Sequence, residues 1–155
     1  MLILDGTLSA DISVFLHRLN EETLPFSVVA YADYLNKSTH ADHPPCGIIY
    51  MRISANIAFA RIQKRNISME AFVTLNDIEQ VYRQQEELFI QGQHLAQELS
   101  QVPLLVLNGN VDFQTDFSQF YNHLFYIKKF LKDIKEREDI ARGVYKEKAP
   151  HRHCC

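Results

Sequence analysis

Cysteine is scarce in this chain: three residues in 155, two of them adjacent at the C-terminus. That excludes a disulfide framework and makes a reducing compartment the default. No stretch approaches the roughly eighteen consecutive apolar residues of a membrane-spanning helix, so no membrane partner is expected. The N-terminal residues have neither the basic start and long apolar region of a secretory signal nor the Arg-rich, acid-poor character of a transit sequence, and a cytoplasmic location is the expectation. Positive charge is not in excess either. Sixteen Lys and Arg against nineteen Asp and Glu leave a net charge of −3, which argues against general nucleic-acid binding and leaves room only for a local basic patch. There are no internal repeats or low-complexity tracts.

What is there is an ordinary globular composition, 46% hydrophobic and 23% charged. At this length the chain is one domain, able to bury roughly two-thirds of its unfolded surface. It is organised around residues 46–70, CGIIYMRISANIAFARIQKRNISME. The run Gly47-Ile48-Ile49-Tyr50-Met51 is too short to span a membrane and too evenly apolar for a surface strand, so it reads as a strand buried on both faces in the middle of a parallel sheet. Ser54 is placed to cap a following helix. Ile57, Arg61 and Arg65 follow at four-residue spacing, and the pattern breaks at Asn66. The strand thus delivers two guanidinium groups, one turn apart, towards the carboxyl edge of a sheet, where open α/β folds bind ligands. From spacing alone two readings stand: a pair suited to phosphate oxygens, or solvated charges on an amphipathic helix.

The rest of the chain reads around that unit. Met1 to Asp5 has the character of a strand. Ser9 can cap a helix in which Asp11, Val14, Phe15 and Leu19 fall at helical spacing, with Asp11 and Phe15 on one face. A second helix is expected over residues 25–36, then a polar loop over 38–45. Residues 66–74 have no clean period and suit a mobile lid. A long helix is expected over 75–97, a buried strand over 102–107 ended by Asn108-Gly109-Asn110, and then a helix carrying Phe113, Phe117, Phe120, Leu124, Ile127, Leu131 and Ile134, the strongest periodic signal in the chain. Charge dominates from Lys135 onward, which reads as a frayed tail. This order predicts an α/β fold with a parallel sheet and right-handed crossovers, in which Ile48, Ile49, Tyr50, Leu104, Leu105 and Val106 are buried in adjacent strands.

Three segments together resemble the deoxynucleoside kinases, the family of deoxycytidine, deoxyguanosine and mitochondrial thymidine kinases. CGIIYMRISANIAFARIQKR is similar to the family's strand, helix and first lid arginines. Residues 75–88 resemble the helix after the lid, and VPLLVLNGNVDF the last strand and its base-sensing loop. Thymidylate kinases share the strand and helix but differ in the lid. The resemblance runs from about Leu2 to Ile134 and implies a partial P-loop-kinase-type three-layer fold over residues 1–137, with 138–155 as a charged, disordered tail. It implies transfer of the γ-phosphoryl group of ATP, with Mg²⁺, to the 5′-hydroxyl of a deoxynucleoside. Arg61 and Arg65 would contact the ATP phosphates and the transferring group. Glu70 would accept a hydrogen bond from the sugar 3′-hydroxyl, Asp11 would hydrogen-bond the base and Phe15 stack on it, while Asp112 and Phe113 would lie against the donor adenine. Without the resemblance, Phe15 is core and Asp112 a helix cap. It also implies a homodimer through the helices of residues 11–19 and 75–89.

The departures are as informative. Where the family has an acidic residue, Arg and Ser, this chain has Asp5-Gly6-Thr7, and Ile67 replaces a further lid arginine. No G-x-x-x-x-G-K-[ST] occurs in the 155 residues, so neither the loop that cradles donor phosphates nor the carboxylate that follows it is present. The expectation is therefore a truncated or inactive form of such a kinase, the alternative being a non-catalytic interaction protein that keeps the scaffold. No metal site is expected, because His40, Asp42, His43 and Cys46, and likewise His151, His153, Cys154 and Cys155, lack the paired spacing of zinc modules.

Overall fold

The structure is a computed structural model that describes residues 1–6, 10–22, 24, 28–30, 45–95, 97, 99–112 and 116–143. Its strands are β1 (Leu2–Gly6), β2 (Val28–Ala30), β3 (Gly47–Arg52) and β4 (Leu104–Asn108), which form one parallel sheet in the order β2-β1-β3-β4. Its helices are α1 (Ala10–Glu21), α2 (Ala55–Arg65), α3 (Leu75–Gln85) and α4 (Phe117–Ala141). This is the α/β, parallel-sheet architecture that the element order implies.

The apolar run of β3 lies inside the sheet because both of its faces are covered, and residues 47–51 are all buried. Register sets Ile49 between Leu4 and Leu105, and Ile48 between Ile3 and Leu104. Successive side chains point to opposite faces, so Leu4, Ile49, Met51 and Leu107 meet Phe15 and Leu19 of α1, Ala58 and Ile62 of α2, and Phe120, Leu124, Ile127 and Leu131 of α4. On the other face Ile3, Ile48 and Tyr50 pack with Phe89 and Leu99.

Helix α3 joins the two faces. Ile78 belongs to the first cluster and Phe89 to the second, and between them the helix widens into a π-helical turn, Glu86–Ile90. The element therefore passes over the carboxyl ends of the strands. Its start is fixed by a capping box in which Thr74 and Asp77 exchange side-chain and backbone hydrogen bonds.

Several sequence expectations change. Residues 28–30 are strand, not helix: Val28 and Val29 are β-branched, and pairing with Leu2 and Ile3 outweighs the helical spacing around them. The rest of the expected 25–36 helix, the 38–44 loop, Ser9 and the residues from 144 onward lie outside the described residues. The helix expected over 75–97 ends at Ile90, because Gly92 adopts a left-handed conformation (φ 68°) that turns the chain away. Helix α4 starts at Phe117, capped by Asp116, whose side chain accepts from Ser118 N. It runs through the charged residues to Ala141 rather than fraying at Lys135. Val106, expected to be buried, is 40% exposed, and Leu104 and Leu105 are half-buried, because β4 is the outer strand of the sheet.

Candidate functional site

The carboxyl ends of β3 and β4 are tied into one knot. Helix α2 begins there, with Ser54 at its N-cap position, but the Ser54 side chain makes no cap bond. Instead its backbone N–H donates to Asn110 Oδ1 at 2.8 Å, while Asn110 N–H donates to Asn108 Oδ1 at 3.0 Å. Gly109 N–H donates to Arg52 O at 2.8 Å. Gly109 is required by close approach: a Cβ there would sit 2.2 Å from Ile53 Cγ1 and 2.8 Å from Met51 Cγ.

Arg61 closes the knot from α2. Its Nη1 donates to Gly109 O at 2.9 Å, and its Nη2 to Asn110 O and Val111 O at 3.1 and 2.8 Å. A planar guanidinium fork suits this task, since it can meet several carbonyls from one side chain. In this structure the residue expected on ATP phosphates is thus engaged with its own loop.

One turn further on, Arg65 turns the other way. Asn66 ends α2 in a left-handed conformation (φ 50°), and a 3₁₀ turn over Ser68–Glu70 brings Glu70 back, so that Arg65 Nη2 lies 3.3 Å from Glu70 Oε1. The pair is incompletely satisfied: Arg65 Nε and Glu70 Oε2 are both buried and have no hydrogen-bond partner. A buried donor and a buried acceptor left open in one ion pair cost stability.

The other expected residues are more scattered. Asp11 lies in α1, and its side chain is outside the described residues, as is Phe113. The Phe15 ring is 0% exposed and packs edge-on against Phe120 at 5.5 Å and near His123 at 6.1 Å. A ring so enclosed offers no face to a base, so Phe15 is core. Asp112 is exposed, and its carbonyl accepts from Asp116 N at 3.0 Å. Of the candidates, the structure brings together Arg65 and Glu70, and sets Arg61 on the loop that precedes Asp112.

A second polar cluster was not anticipated from the sequence. Glu86, in the π-helical turn, holds Arg52 through two hydrogen bonds (Nε to Oε1, 2.9 Å) and accepts from Tyr50 Oη at 3.1 Å. Burial pushes the Tyr50 hydroxyl well above the usual tyrosine range, and the Glu86 carboxylate adds to this. Hydrogen bonds to Glu86 and Tyr82 hold the Arg52 guanidinium still more firmly in its charged form. Nearby, Gln85 Nε2 lies 3.4 Å from Asp5 Oδ2. The signal was the two-residue period that puts Tyr50 and Arg52 on one strand face. Its partner lies 34 residues or more along the chain and could not be named from spacing. Beside this cluster a cleft of about 380 Å³ opens between β3, β4 and α3.

The sequence profile of the deoxynucleoside kinase family matches residues 1–135, and the chain belongs to that family. Comparison with curated proteins found no match. The family generally uses ATP and Mg²⁺ and acts on deoxynucleosides. Among the described residues no group of three or more His, Cys, Asp or Glu converges. No described helix is long and apolar enough to cross a membrane.

Proposed function

We propose that residues 1–137 form a deoxynucleoside-kinase-like domain that binds a deoxynucleoside in the cytoplasm, and that these 155 residues by themselves do not transfer phosphoryl groups at a useful rate. The observation that carries the binding half is the open Arg65–Glu70 pair. Once these solvent-shielded atoms are uncovered, a sugar hydroxyl can accept from Arg65 Nε and donate to Glu70 Oε2. Asp11 is assigned to the base edge by family likeness, Asp112 and Phe113 to a donor base, and Arg65, with Arg61 once it leaves its loop, to phosphate oxygens.

The catalytic half follows from what phosphoryl transfer demands of a protein, which is positioning and charge stabilisation. The 155 residues lack G-x-x-x-x-G-K-[ST], so the amides, lysine and hydroxyl that would supply both are not among them. Each such group is commonly worth about 10²-fold or more. A second reading, a non-catalytic scaffold, is favoured by Arg61, which spends its guanidinium on its own loop.

A homodimer through α1 and α3 belongs to the same proposal. Phe15, Leu19 and Ile78 are buried within the protomer, so such a contact would use the polar outer residues of these helices. The test of function is titration of the four deoxynucleosides into the wild-type chain and Glu70→Ala, beside a radiolabelled ATP assay. Binding that Glu70→Ala weakens about ten- to a hundredfold, without turnover, is expected. Binding unchanged in Glu70→Ala removes Glu70 from the site, and turnover abolished by Arg65→Ala overturns the inactive reading.

A further inference from the structure

The cleft between the carboxyl ends of β3 and β4 has a one-sided chemistry. Its polar lining comes from Arg52, Ser54, Tyr82, Asn108 and Asn110, above a floor that includes the half-exposed Val106. Several of the acceptors around it already take a hydrogen bond. Asn108 Oδ1 takes Asn110 N–H, and Asn110 Oδ1 takes Ser54 N–H. The carbonyl of Asn108 lies 2.9 Å from His123 Nε2, and those of Gly109, Asn110 and Val111 are held by Arg61. Arg52 O accepts from Gly109 N.

What remains are donors. Because backbone N–H groups fix the orientation of both asparagine amides, each Nδ2 is the end left over, and among the described residues neither makes a hydrogen bond. The Ser54 hydroxyl does not cap α2. The Tyr82 side chain, which carries a hydroxyl able to donate, also lines the cleft. Among the described residues the one charged lining side chain is Arg52, 49% exposed and held by Glu86 behind it. These donors, set beside an Arg52 whose charge Glu86 partly balances, suit a ligand rich in acceptors.

We propose that this cleft is an oxyanion site that takes a phosphate group, held by Arg52, Asn108 and Asn110. Its volume of about 380 Å³ leaves room for a pyrophosphate or the phosphates of a nucleotide. The assignment rests on the nucleotide-binding reading only in naming phosphate as the anion. The donor set stands without it, and it lies apart from the Arg65–Glu70 pair, so the two sites can fail separately.

The experiment is an amide-resolved NMR titration of the 155-residue chain with pyrophosphate, with ADP, and with a deoxynucleoside that carries no phosphate. Pyrophosphate and ADP should both shift residues 52–54 and 108–110, and the deoxynucleoside should leave them in place. Shifts with ADP but not pyrophosphate would assign the cleft to the nucleoside part and overturn the proposal. Asn108→Asp is the informative variant, because its carboxylate still accepts Asn110 N–H while replacing a donor with a negative charge. It should weaken pyrophosphate by about tenfold or more with the Gly109 and Asn110 amides otherwise unmoved. Arg52→Lys, which keeps the charge without the fork, should weaken it less. Absence of shifts with pyrophosphate in the wild type, or equal affinity in Asn108→Asp, refutes the site.

Discussion

Replacing Arg61 with alanine is the sharpest probe of how this fold holds its carboxyl edge. The substitution removes three hydrogen bonds from a charged donor to the carbonyls of Gly109, Asn110 and Val111. Those to Gly109 and Val111 are partly buried and the third is exposed. Taking the two buried bonds at about 1.5 kcal/mol each, and subtracting part of the rotamer entropy of roughly 2 kcal/mol that a fixed arginine gives up, the expected loss is about 2 kcal/mol. For a domain of this size that lowers the unfolding midpoint by roughly 4–8 °C. Arg61→Lys should recover less than half of it, since one ammonium on a flexible stem cannot span three carbonyls. Thermal unfolding gives the magnitude, and hydrogen exchange at the amides of residues 109–112 shows whether the loop itself has come loose. If Arg61→Ala melts with the wild type and leaves those amides protected, Arg61 is not what pins the loop, and its role on phosphate becomes the better reading.

Gly109→Ala should destabilise by about 1–3 kcal/mol or more, because its methyl would overlap Ile53 and Met51 in the core; chemical denaturation checks this. Tyr50→Phe should cost about 1 kcal/mol through its bond to Glu86. The Tyr50 hydroxyl should also stay protonated while other tyrosines ionise, measured by ultraviolet titration. The sign follows from the upward shift: the unfolded chain gives up this proton first, so stability is lost as pH rises past the usual tyrosine range. At the acid end, hydrogen bonds from Thr74 and Ser118 lower the pKa values of Asp77 and Asp116. Groups so lowered stabilise the fold above the usual aspartate range and cease to do so as pH falls through their folded values. The first turns of α3 and α4 should fray there, and Thr74→Ala should return Asp77 towards its ordinary value in a carboxyl NMR titration.

How legible the fold was depended on whether local signals agreed with tertiary ones. Strand β3 and helix α2 could be read because an apolar run, a strand-to-helix switch and a left-handed Asn66 all point the same way. Strand β2 could not, since three residues inside a helix-like pattern become strand only through pairing with β1. The end of α3 was marked by Gly92, but the Gln- and Glu-rich sequence around it favours helix and hid the stop. At the start of α4, Phe113 keeps the helical phase, whereas the cap is the Asp116–Ser118 pair. Spacing set Arg61 and Arg65 one turn apart on one helix, but it did not name the partners they meet. The carbonyls that Arg61 holds lie 48 to 50 residues away, and Glu70 returns to Arg65 only because the chain reverses at Asn66.

The measurement that bears most directly on the account compares a 2′-deoxynucleoside with its 2′,3′-dideoxy analogue, by calorimetry, in the wild-type chain and in Glu70→Gln. If a sugar hydroxyl bridges Arg65 Nε and Glu70 Oε2, the deoxynucleoside binds the wild type about tenfold or more tighter than the analogue, and the difference largely disappears in Glu70→Gln. Equal affinities in the wild type, or a preference that survives in Glu70→Gln, would contradict it.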